Sequence, residues 1–80
     1  MKKILVIEDM ESMRMLIITF LQSNGFEVKG TGEGLKGIEL IKEYMPDLIL
    51  CDVDLPDTDG YEILSTIKQD EILSIIPFIF

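Results

Sequence analysis

The sequence predicts an α/β domain with a doubly wound parallel sheet in the strand order 2-1-3-4. Two continuous apolar runs, Ile4–Ile7 and Leu48–Cys51, are typical of strands buried on both faces. Helical patterns separate these runs from two further strand-like segments, so the elements follow the order β-α-β-α-β-α-β. This alternation favours parallel strands joined by right-handed crossovers. The half-polar second strand fits a sheet edge, which leaves the two apolar runs in the middle of the sheet.

The first helix is predicted directly after Asp9, because apolar residues recur there at helical spacing. Gly25 is expected to end this helix in a left-handed conformation. From Phe26 to Thr31 apolar and polar side chains alternate, which predicts the half-exposed edge strand. The stripe of the first helix that we expect to face the sheet is Met13, Leu16, Ile17, Phe20 and Leu21.

A second helix follows and is expected to end before Pro46, because proline cannot continue a helix. Gly34 and Gly37 weaken its first turn. Its inward residues are predicted to be Leu35, Ile38, Ile41 and Tyr44.

The third strand is predicted at Leu48–Val53, and a loop at Leu55–Gly60 follows it. A third helix is predicted at Tyr61–Gln69, with Ile63, Leu64 and Ile67 facing inward. A fourth strand is predicted to begin at Ile76 and to run to Phe80.

Composition excludes several functional classes. Eighty residues make one small domain, and the net charge of −8 argues against direct binding to nucleic acid or to an anionic membrane. Neither a signal peptide nor a membrane-spanning run is present, and Cys51 is the single cysteine, so we expect a cytoplasmic protein. The absence of histidine excludes His-based catalysis and most zinc sites.

Acidic residues follow both apolar strands. Glu8 and Asp9 end the first apolar run and Asp52 ends the third-strand run. If these strands are parallel neighbours, the three carboxylates meet at the carboxyl edge of the sheet, where open α/β sheets bind ligands. Crowded carboxylates repel one another, and a hard divalent cation with oxygen ligands relieves that repulsion. The sequence therefore predicts a Mg²⁺ site with one carboxylate available for chemistry.

These motifs, together with Leu55-Pro56 and Asp59-Gly60, resemble the receiver domain of two-component response regulators, which has a flavodoxin-like (CheY-like) fold. The resemblance implies that Asp52 accepts a phosphoryl group from a sensor histidine kinase or a phosphotransfer protein, and that the domain is not an enzyme. It also implies that Asp9 and Asp52 ligate Mg²⁺ directly, that Glu8 acts through bound water, and that the backbone carbonyl of Asp54 supplies another oxygen. Asp57 and Asp59 are interpreted as turn and helix-capping carboxylates.

Alternative interpretations stay open at this point. Asp52-Val53-Asp54 also resembles the start of haloacid-dehalogenase-type phosphatases, with Asp52 as nucleophile, although Glu8 and Asp9 would then have no role. Gly32–Gly37 matches G-x-G-x-x-G, with Asp52 placed as a ribose-binding acid. Pro56 occupies a ligand position of a calcium loop and excludes that site. The acidic residues could also be ordinary polar strand ends.

The chain departs from the receiver pattern at Phe80, inside the fourth strand. Residues 1–80 are therefore expected to be the N-terminal part of a receiver domain, without the fifth strand and two helices. The Ser or Thr and the Lys that the family places further on are not in this sequence, so we expect weaker phosphorylation and impaired switching. The fourth strand, apolar on both faces, would be an open edge, so we expect a homodimer through this edge.

Overall fold

Four parallel strands form one sheet in a computed structural model that describes residues 2–80. Numbered along the chain, the strands lie in the order 2-1-3-4. This order confirms the predicted topology. None of the helices in residues 2–80 has the length and apolar character needed to cross a membrane. The elements are β1 (Lys3–Ile7), α1 (Glu11–Ser23), β2 (Glu27–Thr31), α2 (Gly34–Tyr44), β3 (Leu48–Cys51), α3 (Gly60–Lys68) and β4 (Phe78–Ile79), with a 3₁₀ turn at Leu73–Ile75.

The three strands β1, β2 and β3 end at the same level. Ile7 at the end of β1 is paired with Thr31 of β2 and with Cys51 of β3. The ladder continues for one residue beyond each pair, because Glu8 N donates to Thr31 O at 3.0 Å and Asp52 N donates to Ile7 O at 2.8 Å. The residues that follow β1 and β3 therefore leave the sheet side by side at its carboxyl edge.

The principal core lies on the face of the sheet that α2 and α3 cover. Side chains at alternate positions of β1 and β3 point into it, as expected for strands with a period of two residues. The predicted inward residues Ile63 and Ile67 of α3 are buried there. The buried members of this core are Leu5, Ile7, Ile41, Ile49, Cys51, Ile63, Ile67, Leu73 and Ile76.

On the opposite face, α1 packs against β1 and β2 and leaves β3 and β4 largely uncovered. The predicted stripe of α1 is only partly right. Ile17 and Leu21 are half-buried, but Leu16 and Phe20 are each 65% exposed and Met13 is also exposed. The apolar stripe of α1 is wider than the surface that β1 and β2 offer to the helix. The residues at the outer side of the stripe therefore have no apolar neighbours to bury them.

Glycines decide how α2 packs. The predicted inward position of Leu35 is wrong, because its side chain is 60% exposed. Gly34, which lies against the segment after β3 and against α3, and Gly37, which lies against the sheet, are buried instead. Ile41 and Tyr44 are buried as predicted. A methyl group at Gly37 would lie 2.6 Å from Cδ1 of the fully buried Ile7. The lack of a side chain therefore lets the first turns of α2 approach β1, and this close contact outweighs the low helix propensity of glycine.

The third and fourth strands are shorter than predicted. β3 ends at Cys51 rather than Val53, and β4 comprises Phe78 and Ile79 rather than residues 76–80. Before β4, Asp70 Oδ1 accepts the N–H groups of Ile72 at 2.9 Å and Leu73 at 3.1 Å, which starts the 3₁₀ turn. Within this turn the N–H of Ile76 donates to Leu73 O at 3.0 Å, and Pro77 has no N–H, so neither residue donates a hydrogen bond to β3.

Two positive backbone dihedral angles end the first two helices. Gly25, with φ 89°, follows α1 as predicted. Met45 ends α2 with φ 51° and ψ 62°, and its N–H donates to Ile41 O at 3.0 Å. This conformation costs a residue with a Cβ atom about 1–2 kcal/mol, which is why glycine commonly occupies the position.

Replacement of Met45 by glycine is expected to raise the free energy of unfolding by about 0.5–1 kcal/mol, since relief of the backbone strain exceeds the added flexibility of the unfolded chain. Urea denaturation measures the change. Met45→Ala is the control, because it removes the same side chain and keeps the strained conformation. An equal gain in both variants would contradict the backbone explanation.

Candidate functional site

Three carboxylates converge at the carboxyl edge of the sheet. Glu8 and Asp9 follow β1 and Asp52 follows β3, and each contributes an oxygen atom to a group within 4.8 Å of one another. Glu8 and Asp52 are half-buried, and Asp9 is exposed. The level strand ends bring these residues together, so the predicted convergence of the acidic cluster (Glu8, Asp9 and Asp52) is confirmed as geometry.

The acidic cluster is electrostatically unfavourable for Glu8. Burial is the largest cause that raises the pKa of Glu8 above its usual value, and the Asp9 side chain and the charge of Asp52 raise it further. The N–H of Met10 donates to Glu8 Oε2 at 3.1 Å and acts in the opposite direction. The ionised form of Glu8 is therefore energetically less favourable in this arrangement than it is in water.

Arg14 lies beside the acidic cluster and does not neutralise it. Its Nη1 atom donates to the backbone carbonyl of Glu8 at 2.7 Å rather than to a carboxylate. Within residues 2–80, the ion pair closer than 4.0 Å is Lys36 with Glu39, on the surface of α2. A methyl group at Gly32 would lie 2.9 Å from Arg14 Nη1, so Gly32 leaves space for the guanidinium. Sequence reasoning missed this role of Gly32.

The donor set fits a hard divalent cation. Three carboxylates without a cationic partner provide the oxygen ligands that Mg²⁺ takes in proteins, and Mg²⁺ requires few of them because it keeps several waters. Asp54 lies two residues beyond Asp52 with its side chain exposed, in a bridge with Asp59. Its role as a carbonyl ligand stays a prediction.

The segment between β3 and α3, here called the β3–α3 loop (residues 53–59), is closed tightly at its base. Gly60 N donates to Val53 O at 2.7 Å, and Asp59 Oδ1 accepts the N–H of Glu62 at 2.8 Å. Asp59 is therefore the N-cap of α3, as its interpretation as a capping residue predicted. Gly60 does more than shape a turn, because a methyl group there would lie 2.7 Å from the carbonyl oxygen of Asp52.

Asp57 caps α2 rather than the helix of its own loop. Its Oδ1 accepts the N–H of Gly34 at 2.8 Å and its Oδ2 accepts that of Leu35 at 2.9 Å. Hydrogen bonds from Leu35 and Gly34 hold the pKa of Asp57 below its usual value. The signal in the sequence was indirect, because glutamate is not among the residue types preferred at an N-cap, and Glu33 at that position of α2 makes no capping bond of its own. This carboxylate also occupies helix-terminal N–H groups that a dinucleotide pyrophosphate would require.

A cavity of about 260 Å³ adjoins the acidic cluster on the α1 face of the sheet. Glu8 and Asp52 form its polar side, and Ile17, Leu50 and Ile79 are among its apolar walls. Cys51 also contacts this cavity, but burial is the main cause that raises the pKa of its thiol to about 12. The thiol is therefore protonated at neutral pH, which agrees with a structural role for Cys51.

Comparison with known proteins identifies one family. The profile of the response regulator receiver domain matches residues 4–80. A polar-differentiation response regulator DivK of Brucella ovis is 37% identical over 78 residues, which cover 98% of this chain and 63% of that protein. The chain therefore spans less than two thirds of the length of the curated relatives it matches first.

Solved structures with the same fold agree with this match. The chemotaxis response regulator CheY4 of Vibrio cholerae superposes with a TM-score of 0.93 and 26% identity, over 98% of this chain and 65% of that one. The N-terminal domain of a response regulator receiver protein from Methanoculleus marisnigri gives a TM-score of 0.90 and 30% identity, over 95% and 62% of the two chains. The predicted CheY-like flavodoxin fold is confirmed.

Replacement of Glu8 by glutamine is expected to stabilise the protein at pH 7 in the absence of divalent cations. The pKa of Glu8 is higher in the folded than in the unfolded chain, so its ionisation opposes folding. The wild type therefore loses stability as the pH rises from the unfolded pKa through the folded pKa. We expect a gain below about 1 kcal/mol, because the site is partly open to solvent and repulsion there is screened.

Urea denaturation at pH 7 and at pH 4 with EDTA present measures this effect. The gain in Glu8→Gln should shrink at the lower pH, where the wild-type carboxyl group is protonated. Glu39→Gln, on the outer surface of α2, is the matched control and should show no such gain. A gain that is the same at both pH values would contradict the electrostatic origin.

Proposed function

The chain belongs to the response regulator receiver domain family of two-component signalling, and on this basis we propose that it is a phosphoacceptor module whose acceptor is Asp52. The observation that carries the proposal is the convergence of Glu8, Asp9 and Asp52 at one sheet edge. Asp52 extends from the central strand β3 and borders the open cavity, so a partner can reach its carboxylate.

The proposed partner is a sensor histidine kinase or a phosphotransfer protein that carries a phosphohistidine. One carboxylate oxygen of Asp52 forms a bond to phosphorus while the bond between phosphorus and the imidazole nitrogen breaks. The imidazole nitrogen leaves with the electron pair and takes up a proton. Each chain accepts one phosphoryl group, so the module is proposed to act stoichiometrically and not as an enzyme.

The proposed cofactor is Mg²⁺, held by the carboxylates of Asp9 and Asp52, by Glu8 through water, and by the backbone carbonyl of Asp54. The ion would neutralise charge on the carboxylates and on the phosphoryl oxygens during transfer. The raised pKa of Glu8 supports this assignment. Within residues 2–80, no ammonium or guanidinium group pairs with the carboxylates of Glu8, Asp9 and Asp52, which supports it further. Without such neutralisation, two negatively charged groups would have to approach each other at Asp52.

The proposal further assigns the module to the cytoplasm, where a kinase has access to ATP, without direct contact to nucleic acid. The net charge of −8 supports the second part, because the chain has too few cations to replace the counterions of phosphates. We therefore propose that this module acts by binding other proteins.

We also propose that two copies associate through the edge of β4. This strand pairs with β3 on one side only, and the side chain of Ile79 is 51% exposed beside the cavity. Pairing of two β4 edges about a two-fold axis would satisfy open backbone groups and cover apolar surface in one contact. The repulsion between two chains of charge −8 opposes this contact, so we expect the association to strengthen with salt.

Treatment with acetyl phosphate in Mg²⁺ is expected to label Asp52, and Asp52→Asn should abolish the label. Mass spectrometry of the intact protein and of its peptides measures both results. Asp54→Asn is the control, since it removes a carboxylate two residues away and should retain labelling. Label that persists in Asp52→Asn would contradict the assignment, and repeated turnover of a small phosphate monoester would favour the phosphatase interpretation.

Sedimentation equilibrium at high micromolar concentration is expected to show dimers, and Ile79→Lys should weaken their association by at least about tenfold. A charge at this position would be buried in the contact without a partner, which costs more than about 1.4 kcal/mol, the equivalent of a tenfold change. Ile72→Lys is the matched control, because Ile72 is 66% exposed outside the strand. A wild-type chain that remains a folded monomer would contradict the proposal.

A further inference from the structure

We propose that Asp57 is a positioning residue for the acidic cluster: it joins the β3–α3 loop to the first turn of α2 and so holds the segment that carries Asp54. The inference rests on the proposed function, because it concerns the affinity of that site for Mg²⁺. Asp57 does not contact the acidic cluster itself. It acts through the position of the loop between Asp52 and α3.

The hydrogen bonds of Asp57 constrain the loop in more than one direction. Each carboxylate oxygen accepts a different N–H group, at 2.8 Å from Gly34 and at 2.9 Å from Leu35. Two parallel bonds to neighbouring amides fix both the distance and the rotation of the carboxylate, which one bond would not do. The connection spans 23 and 22 residues of sequence, so it links two separate crossovers of the fold.

Packing at Gly34 supports the same connection independently. Gly34 is buried, and a methyl group on it would lie 3.2 Å from Cδ1 of Leu55 and would overlap the methyl group of Thr58. The loop therefore lies directly on the first residue of α2, at a place where only glycine leaves room. A side chain at Gly34 would push the loop away without any change in charge.

Asp54 lies between the two attachments of the loop. The base is held by the Gly60–Val53 hydrogen bond, by the bridge of Asp54 with Asp59 and by the Asp59 cap, and the far end is held by Asp57. If Asp57 is lost, the base remains closed, and the segment that leads from Asp54 to Asp57 loses its fixed far end. The carbonyl of Asp54 would then sample more orientations, and a ligand that must be ordered on binding contributes less affinity.

The lowered pKa of Asp57 agrees with this role, since the N–H groups of Leu35 and Gly34 stabilise the ionised carboxylate. At neutral pH the connection is therefore fully formed. Asp57 is not a member of the carboxylate group formed by Glu8, Asp9 and Asp52. Both of its oxygens are engaged at the start of α2, so it acts on the site through the loop and not as a direct ligand.

The test is a titration with Mg²⁺, followed by NMR, of the wild type and of five variants in about 0.5 M KCl, where long-range charge effects are screened. Asp57→Asn keeps one acceptor and is expected to weaken Mg²⁺ binding about tenfold, the lower end of the effect of removing an outer-shell partner of a metal site. Gly34→Ala should weaken binding in the same direction, although it leaves every charge in place.

Two controls separate positioning from charge and from stability. Glu33→Gln removes a negative charge beside Gly34, from an exposed side chain that makes no capping bond, so we expect less than about a twofold change in Mg²⁺ affinity. Asp70→Asn removes a carboxylate that also accepts two backbone N–H groups, at Ile72 and Leu73, far from the acidic cluster. It should lower the unfolding temperature as Asp57→Asn does and leave Mg²⁺ binding unchanged.

The outcomes distinguish this inference from the proposed function. Asp9→Ala should abolish saturable binding, and wild-type-like binding in that variant would overturn the site itself. If Asp9→Ala abolishes binding while Asp57→Asn and Gly34→Ala bind like the wild type, the positioning role of Asp57 is overturned and the site stands. Equal weakening by Glu33→Gln and Asp57→Asn would assign the effect to charge and would also overturn the positioning role.

Discussion

The parallel register of β1 against β3 is the constraint on which the acidic cluster depends. The pairing of Ile7 with Cys51 continues through the hydrogen bond from Asp52 N to Ile7 O at 2.8 Å. This register places Glu8 and Asp52 next to each other. A shift by one residue would turn the side chains of β3 to the opposite face and would expose Ile49 and Cys51. The apolar core therefore fixes the position of carboxylates whose mutual repulsion would otherwise separate them.

The residues around this edge show how the fold accommodates such repulsion. Arg14 supports the backbone of Glu8 without neutralising its carboxylate, and this leaves the negative charge available. Four glycines lie near this edge of the sheet, and at each of them a side chain would collide with a different neighbour. Gly32 makes room for Arg14, Gly34 for the β3–α3 loop, Gly37 for Ile7 and Gly60 for the carbonyl of Asp52.

The two faces of the sheet differ in completeness. The face toward α2 and α3 has a continuous buried core, whereas α1 alone covers the other face and leaves a cavity between Ile17 and the last two strands. This asymmetry explains the exposure of Leu16 and Phe20 on α1, which have the spacing of core residues and no neighbours to pack against. Apolar surface of this kind is typical of places where another polypeptide segment binds.

Much of this architecture follows from the sequence alone. The apolar runs at Ile4–Ile7 and Leu48–Cys51 determine the two central strands, and the residues after them determine which carboxylates meet, because parallel strands end at a common edge. The helical periodicity around Ile63 and Ile67 likewise determines the inner face of α3, since its apolar residues have one way to reach the core.

Other features were decided only by the tertiary structure. Periodicity placed Leu35 inward, but the buried positions are Gly34, against the β3–α3 loop, and Gly37, against Ile7. The bond from Asp57 to the start of α2 joins residues more than twenty positions apart, and a sequence pattern contains no distance of that kind. The 3₁₀ turn shortened β4 because Leu73 O accepts the N–H of Ile76, the first residue of the predicted strand. Local sequence patterns indicate which conformations and which buried faces a segment can adopt. Packing against the rest of the chain decides which of these the folded protein adopts.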